Sequence, residues 1–216
     1  MGKQRDPWAE LVSGKLGSAP RFLTTVVLFL AAGCIACLFE EARPWVALAR
    51  LTPAVWESGQ TWRVVSFGFV GDGPLGPTTV IQIACFYWLA LELCRSVGVR
   101  RARVVLLAGV VVSGLVATIA QMAIEQAGLP RCAAPFEMMQ GQRTLLAISV
   151  AGFAAGNRHV AVTRLRLLYG LAIPSRWLIP LQLGWALIEL GLTRDVGGFV
   201  GLVVATLTGW WGARGR

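Results

Sequence analysis

Six apolar runs, separated by short polar connections, limit this chain more than any other feature. They cover residues 22–39, 78–94, 104–124, 144–156, about 176–192, and 196–211. Most are long enough to be read as membrane-spanning helices, whose backbone polar groups must be satisfied within the segment itself. The fourth covers about 20 Å at 1.5 Å per residue, short of the ~30 Å of bilayer hydrocarbon. Either it is a short span, or residues 136–142 extend it at its start. Only 14% of the 216 residues are charged, against roughly a quarter in a soluble domain, and the mean hydropathy is +0.64. The expected fold class is therefore all-α, a polytopic membrane bundle of six helices. Residues 1–21 and 212–216 form short polar ends around a membrane domain at 22–211. The first run follows about twenty polar residues, so it is expected to be retained and not cleaved as a leader.

The +9 net charge has a distribution that explains it. Assigning connections alternately to two sides gives the side of the N-terminus 14 of the 20 basic residues and 3 of the 11 acidic ones. Arg95, Arg100, Arg101, Arg103 and Arg214 belong to that side; Arg43, Arg50, Arg63, Arg143 and Arg194 belong to the other. By the positive-inside rule both termini are expected in the cytosol. The basic excess then reports topology, and nucleic acid is not an expected partner. The five cysteines do not form a disulfide framework: Cys34 and Cys37 fall within the first apolar run, where cysteine acts as a small apolar residue.

The connection at residues 40–77 is the longest and is not hydrophilic. Trp45, Val46, Leu48, Leu51, Val55 and Trp56 suit a helix lying at the membrane interface, broken into short pieces by Pro44 and Pro53. Gln60, Trp62 and Arg63 follow, then a hydrophobic stretch and a glycine-rich turn. This loop is expected to be partly immersed, with Arg63 snorkelling to phosphates or carbonyls. Gln82, Gln121 and Gln182 lie inside apolar runs, where polar residues are costly and point by default to function or to interhelical bonding. Gly197, Gly201 and Ala205 form a small-residue stripe for close packing of the last helix.

The order of several short motifs resembles the Derlin branch of the rhomboid superfamily. Gln60-x-Trp62-Arg63 resembles the loop after the first Derlin helix. Tyr87 and Leu91-Glu92, the basic turn at Arg100, Arg101 and Arg103, Gly141-Gln142, Asn157-Arg158, Gly170-Leu171 and Pro180 continue the resemblance over residues 18–211. His159 stands where that family usually has proline. Its Gly-x-x-x-Gly-His element reads Gly201, Ala205 and Thr206 here, without the histidine.

This resemblance implies a six-helix rhomboid-like fold and a role in endoplasmic-reticulum-associated degradation. The expected partners are misfolded lumenal or membrane proteins, a membrane-embedded ubiquitin ligase complex, membrane lipids, and an AAA ATPase reached indirectly, since no long tail follows residue 211. Homo- or hetero-oligomers also fit the resemblance, and local membrane thinning is the implied mechanism. A rhomboid protease needs a serine in Gly-x-Ser-Gly at the fourth helix and a histidine in the sixth, within hydrogen-bond reach. Ser113 and Ser149 lie in other contexts, and the single histidine, His159, falls between the fourth and fifth runs. The chain is expected to be a pseudoprotease with no cofactor and no metal. An active intramembrane serine protease and a small transporter subunit are the alternatives.

Overall fold

The computed structural model describes residues 20–71, 76–128, 135–156, 165–167, 171–173 and 175–214. His159, Cys132 and the expected motif residues Asn157 and Gly170 lie outside them. Each apolar run is a helix: α1 (Arg21–Ala36), α5 (Pro77–Val97), α6 (Val99–Gln126), α7 (Gln142–Gly156), α8 (Ser175–Thr193) and α9 (Val196–Arg214). The long connection holds α2 (Arg43–Ala49), α3 (Ala54–Glu57) and α4 (Arg63–Ser66). A two-stranded antiparallel hairpin, β1 (Leu165–Leu167) with β2 (Leu171–Ile173), pairs Arg166 with Ala172 and is the departure from an all-helical chain among the described residues. Three helices, α5, α6 and α9, are long and apolar enough to cross a membrane; α1 and most of α8 are apolar but shorter.

α7 is the central post. Twelve of its fifteen residues are buried, and it packs against α5 and α9 extensively and against α6 and α8 to a lesser degree. It starts at Gln142: residues 136–141 do not prolong it, because Phe136 and Gly141 adopt positive φ values of 68° and 51° and a 3-10 turn occupies Glu137–Met139. At about 22 Å it is shorter than the hydrocarbon layer. A helix enclosed by protein needs no match to lipid thickness.

α5 and α6 are nearly continuous, joined through Gly98 at φ 88°, a region in which glycine alone carries no Cβ penalty. Arg100, Arg101 and Arg103 therefore fall in the opening turns of α6 and not in a loop. Arg101 Nε donates to Gly212 O at 2.8 Å, and the Arg103 guanidinium lies 5.1 Å from the Phe22 ring centre. These contacts gather the start of α1, the start of α6 and the end of α9 at one end of the bundle. At the other end Arg143 meets Glu189, so the start of α7 faces the end of α8. Arg101 and Arg103 thus lie at one end of the bundle and the Arg143–Glu189 pair at the other.

Around the outside, Leu28, Val104, Leu115, Ile119, Trp185, Ile188 and Leu192 are exposed. An apolar belt of this extent is too large for a surface facing water. The chain is a membrane protein.

α9 is packed through its small residues. Gly197, Gly201 and Ala205 are all buried; a Cβ on Gly201 would come within 2.9 Å of the Ala117 Cβ, and one on Gly197 within 2.9 Å of Gln121 Oε1. The closest approach of α9 to another helix's backbone lies outside the expected stripe: a Cβ on Gly209 would overlap the Ile148 carbonyl, which cannot swing away. Gly209→Val is expected to cost about 1–3 kcal/mol, the usual range for overpacking. Gly191→Ala, at a position with open space around it, is the matched control. Thermal unfolding of both variants in detergent checks this.

Candidate functional site

At the end of the bundle away from Arg101 and Arg103, the long connection meets the start of α7, and the polar side chains of the interior converge there. The seven-residue helix α2 ends with carbonyls that have no intrahelical partner. Three side chains from the next segments make four hydrogen bonds to these carbonyls and to the one that follows them. Arg63 Nη1 donates to Ala47 O at 2.6 Å and to Arg50 O at 2.8 Å, Trp62 Nε1 to Leu48 O at 3.3 Å, and Ser66 Oγ to Ala49 O at 2.8 Å. Arg63 Nε also donates to Gln60 Oε1. A cation at a helix C-terminus is further favoured by the helix dipole.

Arg63 is only 6% exposed, so it turns into the protein and does not snorkel to headgroups, whereas Trp62 is 54% exposed. Carbonyls outcompete phosphates for the guanidinium because α2 would otherwise end with several unpaired acceptors beside it. Burial lowers the Arg63 pKa from its ordinary value, yet a guanidinium stays charged at any physiological pH.

A second clasp ties this connection to residues 136–142. The Gln140 side chain pairs with both backbone groups of Leu51, accepting from its N–H at 3.2 Å and donating to its carbonyl at 2.8 Å. Gly141 N donates to Phe67 O at 3.0 Å. Asp195, fully buried, caps α9 by accepting from Gly198 N at 2.8 Å, and its carboxylate also accepts from Phe136 N at 2.9 Å and Met138 N at 3.1 Å. Three amides on one carboxylate hold the strained turn at Phe136 against the start of α9.

The first two residues of α7 then reach in opposite directions. Gln142 Nε2 donates to Gln82 Oε1 of α5 at 3.0 Å. Arg143 Nη1 pairs with Glu189 Oε1 of α8 at 2.5 Å, with both side chains partly covered. α5 and α8 each pack on α7 and have little direct contact with one another, so the head of α7 bridges the two helices that flank it. The remaining expected glutamines are also engaged. Gln121 Nε2 donates to Glu125 Oε1 within α6 at 3.1 Å, and Gln182 Nε2 donates to Thr206 Oγ1 of α9 at 3.1 Å, leaving Gln182 Oε1 buried without a partner. Pro180 lies inside α8, where it removes one backbone donor from the ladder.

The serines among the described residues have their hydroxyls committed to backbone in five cases. Ser149 Oγ donates to Leu145 O, Ser113 to Val110 O, Ser66 to Ala49 O, Ser96 to Leu93 O and Ser58 to Ala54 O. None of these five bonds presents the serine to a base. No group of three or more histidine, cysteine or acidic side chains that could hold a metal occurs among the described residues.

Comparison with known protein families, with characterised proteins and with solved structures gave no match. The structure brings together Gln60 with Arg63 and Gln82 with Gln142, and places Gln121 in a bond within α6 and Gln182 in a bond from α8 to α9. Sequence reasoning overlooked Gln140, Asp195 and the Arg143–Glu189 pair. Asp195 had a usable signal, an aspartate immediately before the last apolar run, which is the position of an N-cap.

Asp195→Ala leaves three amides unpaired and is expected to lower stability by about 2 kcal/mol or more, since each buried unsatisfied donor costs roughly 1–3 kcal/mol. Asp195→Asn, which keeps an acceptor oxygen, should lose less. Denaturant titration in mixed micelles measures the difference.

Proposed function

We propose that the chain is a rhomboid-like pseudoprotease of the Derlin kind, a non-hydrolytic membrane scaffold that engages other polypeptides from within the bilayer. The observation that carries this reading is how the head of α7 is used. Where a rhomboid-type protease would need an activated hydroxyl, this chain has Gln140, Gly141, Gln142 and Arg143. Their side chains are bonded to Leu51, Gln82 and Glu189. A nucleophile needs a base within hydrogen-bond distance, and the chain has a single histidine, outside the last helix.

In this reading all six long helices span, with both termini cytosolic in the endoplasmic reticulum membrane. α1, part of whose surface is exposed, has 16 residues, a length of about 24 Å that favours local thinning of the bilayer. A client helix would enter beside α7, between α5 and α8, where Ile81 and Trp185 are exposed. Clients would be misfolded lumenal or membrane proteins, passed to a membrane-embedded ubiquitin ligase, with an AAA ATPase acting downstream.

Site-specific photocrosslinking in proteoliposomes tests the reading. A crosslinker at Ile81 or Trp185 should capture a marginally apolar client helix several-fold more than one at Ile119, which faces outward on α6. The client should stay intact, and a serine-directed phosphonate should not label the protein. Equal capture at all three positions would remove the client surface. Reproducible client cleavage or phosphonate labelling would replace the scaffold with a protease.

A further inference from the structure

We propose that the groove between α1 and α2 is a phospholipid site, with an acyl chain lying along α1 and the phosphate held by Arg43 and Arg50. Phe29, Ala32 and Ala36 of α1, Trp45 and Val46 of α2, and Phe69 make its walls. Gly33 forms the floor: a Cβ there would come within 3.0 Å of Gly71 N, so the chain after Phe69 closes directly onto α1. From Phe29 to Ala36 the groove follows α1 for roughly 10 Å, the length of the upper half of an acyl chain. Its lining is almost wholly apolar, and Phe29 and Trp45 are 61% and 74% exposed.

Two guanidinium groups converge where the groove ends. Arg43 Nε donates to Cys37 O at 3.2 Å, and Arg50 Nη2 approaches Cys37 Sγ at 3.9 Å and Gly71 O at 3.5 Å. Both arginines therefore stand over the last residues of α1, at the groove mouth. Neither has its donors fully used. Arg50 Nε is buried without a partner, which is costly for a charged donor. Arg43 faces one carboxylate, Glu40, at 3.9 Å in a pair that is 61% and 90% exposed on its two sides, and such pairs contribute little. A third arginine of this connection, Arg63, is buried and turned to Gln60 and to the carbonyls of Ala47 and Arg50, so it does not reach the groove mouth where the other two stand. A guanidinium pair with spare N–H groups fits a phosphate oxygen set, and its position at the end of an apolar trough fits a phosphate esterified to acyl chains. A free anion would use only the rim. The site depends on the chain lying in a membrane and not on what it does with clients.

The test uses the full chain in nanodiscs carrying a trace of phosphatidic acid with a photoreactive group midway along one acyl chain. Crosslinks should concentrate on the peptide containing residues 29–36. A diacylglycerol probe with the same chain and no phosphate should label it on the order of tenfold less, as expected from two cationic contacts to an anionic headgroup. Ala32→Trp, at an exposed position that fills the groove, should reduce phosphatidic acid labelling by a similar factor, as should Arg43→Gln with Arg50→Gln. Excess inorganic phosphate should leave labelling unchanged. Labelling spread evenly over outward surfaces such as residues 112–119, equal labelling by the two probes, insensitivity to Ala32→Trp, or displacement by inorganic phosphate would each overturn the proposal. Were the double arginine variant unable to fold, the two probes on the unaltered chain and Ala32→Trp still decide it.

Discussion

A helix buried on all sides within a membrane protein must have its opening turn satisfied by protein, because no water reaches it and lipid offers no acceptor. At the start of α7 Arg143 N donates to Gln140 O at 3.2 Å, and the side chains around that turn are bonded to protein as well. The residues that lead into and begin the helix, Gln140 to Arg143, reach the long connection, α5 and α8. Asp195 fixes the preceding turn onto α9. Removing the Gln140 or the Asp195 link would leave buried polar groups stranded in a low-dielectric interior, where stranding costs more than the bond contributes.

The same logic shapes the long connection. α2 is too short to be stable alone, and its last carbonyls would face an apolar environment. The segment around Trp62, Arg63 and Ser66 supplies donors to those carbonyls one after another. The connection is thereby a folded part of the bundle, pinned twice, at α2 by Arg63 and at Leu51 by Gln140. Irregular backbone packed into a helix bundle needs such pins, and here each is made by a side chain of fixed geometry, a planar guanidinium or a planar amide.

The helices were legible from the sequence because apolar runs of this length have few other solutions in lipid. All six long helices fall on the six runs. The start of α7 was harder to read: residues 136–141 are apolar enough to continue a helix, and only the positive φ at Phe136 and Gly141, imposed by contacts with Asp195 and Phe67, stops it. The direction of Arg63 was also hidden. An arginine beside a tryptophan looks like an interfacial anchor, and its true partners are carbonyls that carry no sequence identity. The glutamines were recognisable as unusual, but their partners lie 24 to 60 residues away for Gln182 and Gln82, and single-sequence patterns do not encode such pairings.

The claim that α7 holds its two flanking helices through its first turn is tested most directly by a double-mutant cycle on Arg143 and Glu189. Arg143→Gln, Glu189→Gln and the double variant would be compared by reversible unfolding in bicelles. Because both side chains are partly exposed, a coupling energy of about 1 kcal/mol is predicted, within the range for contacting charged pairs. Strictly additive single losses would mean that the two residues do not act together, and the bridging role of α7 would have to be abandoned.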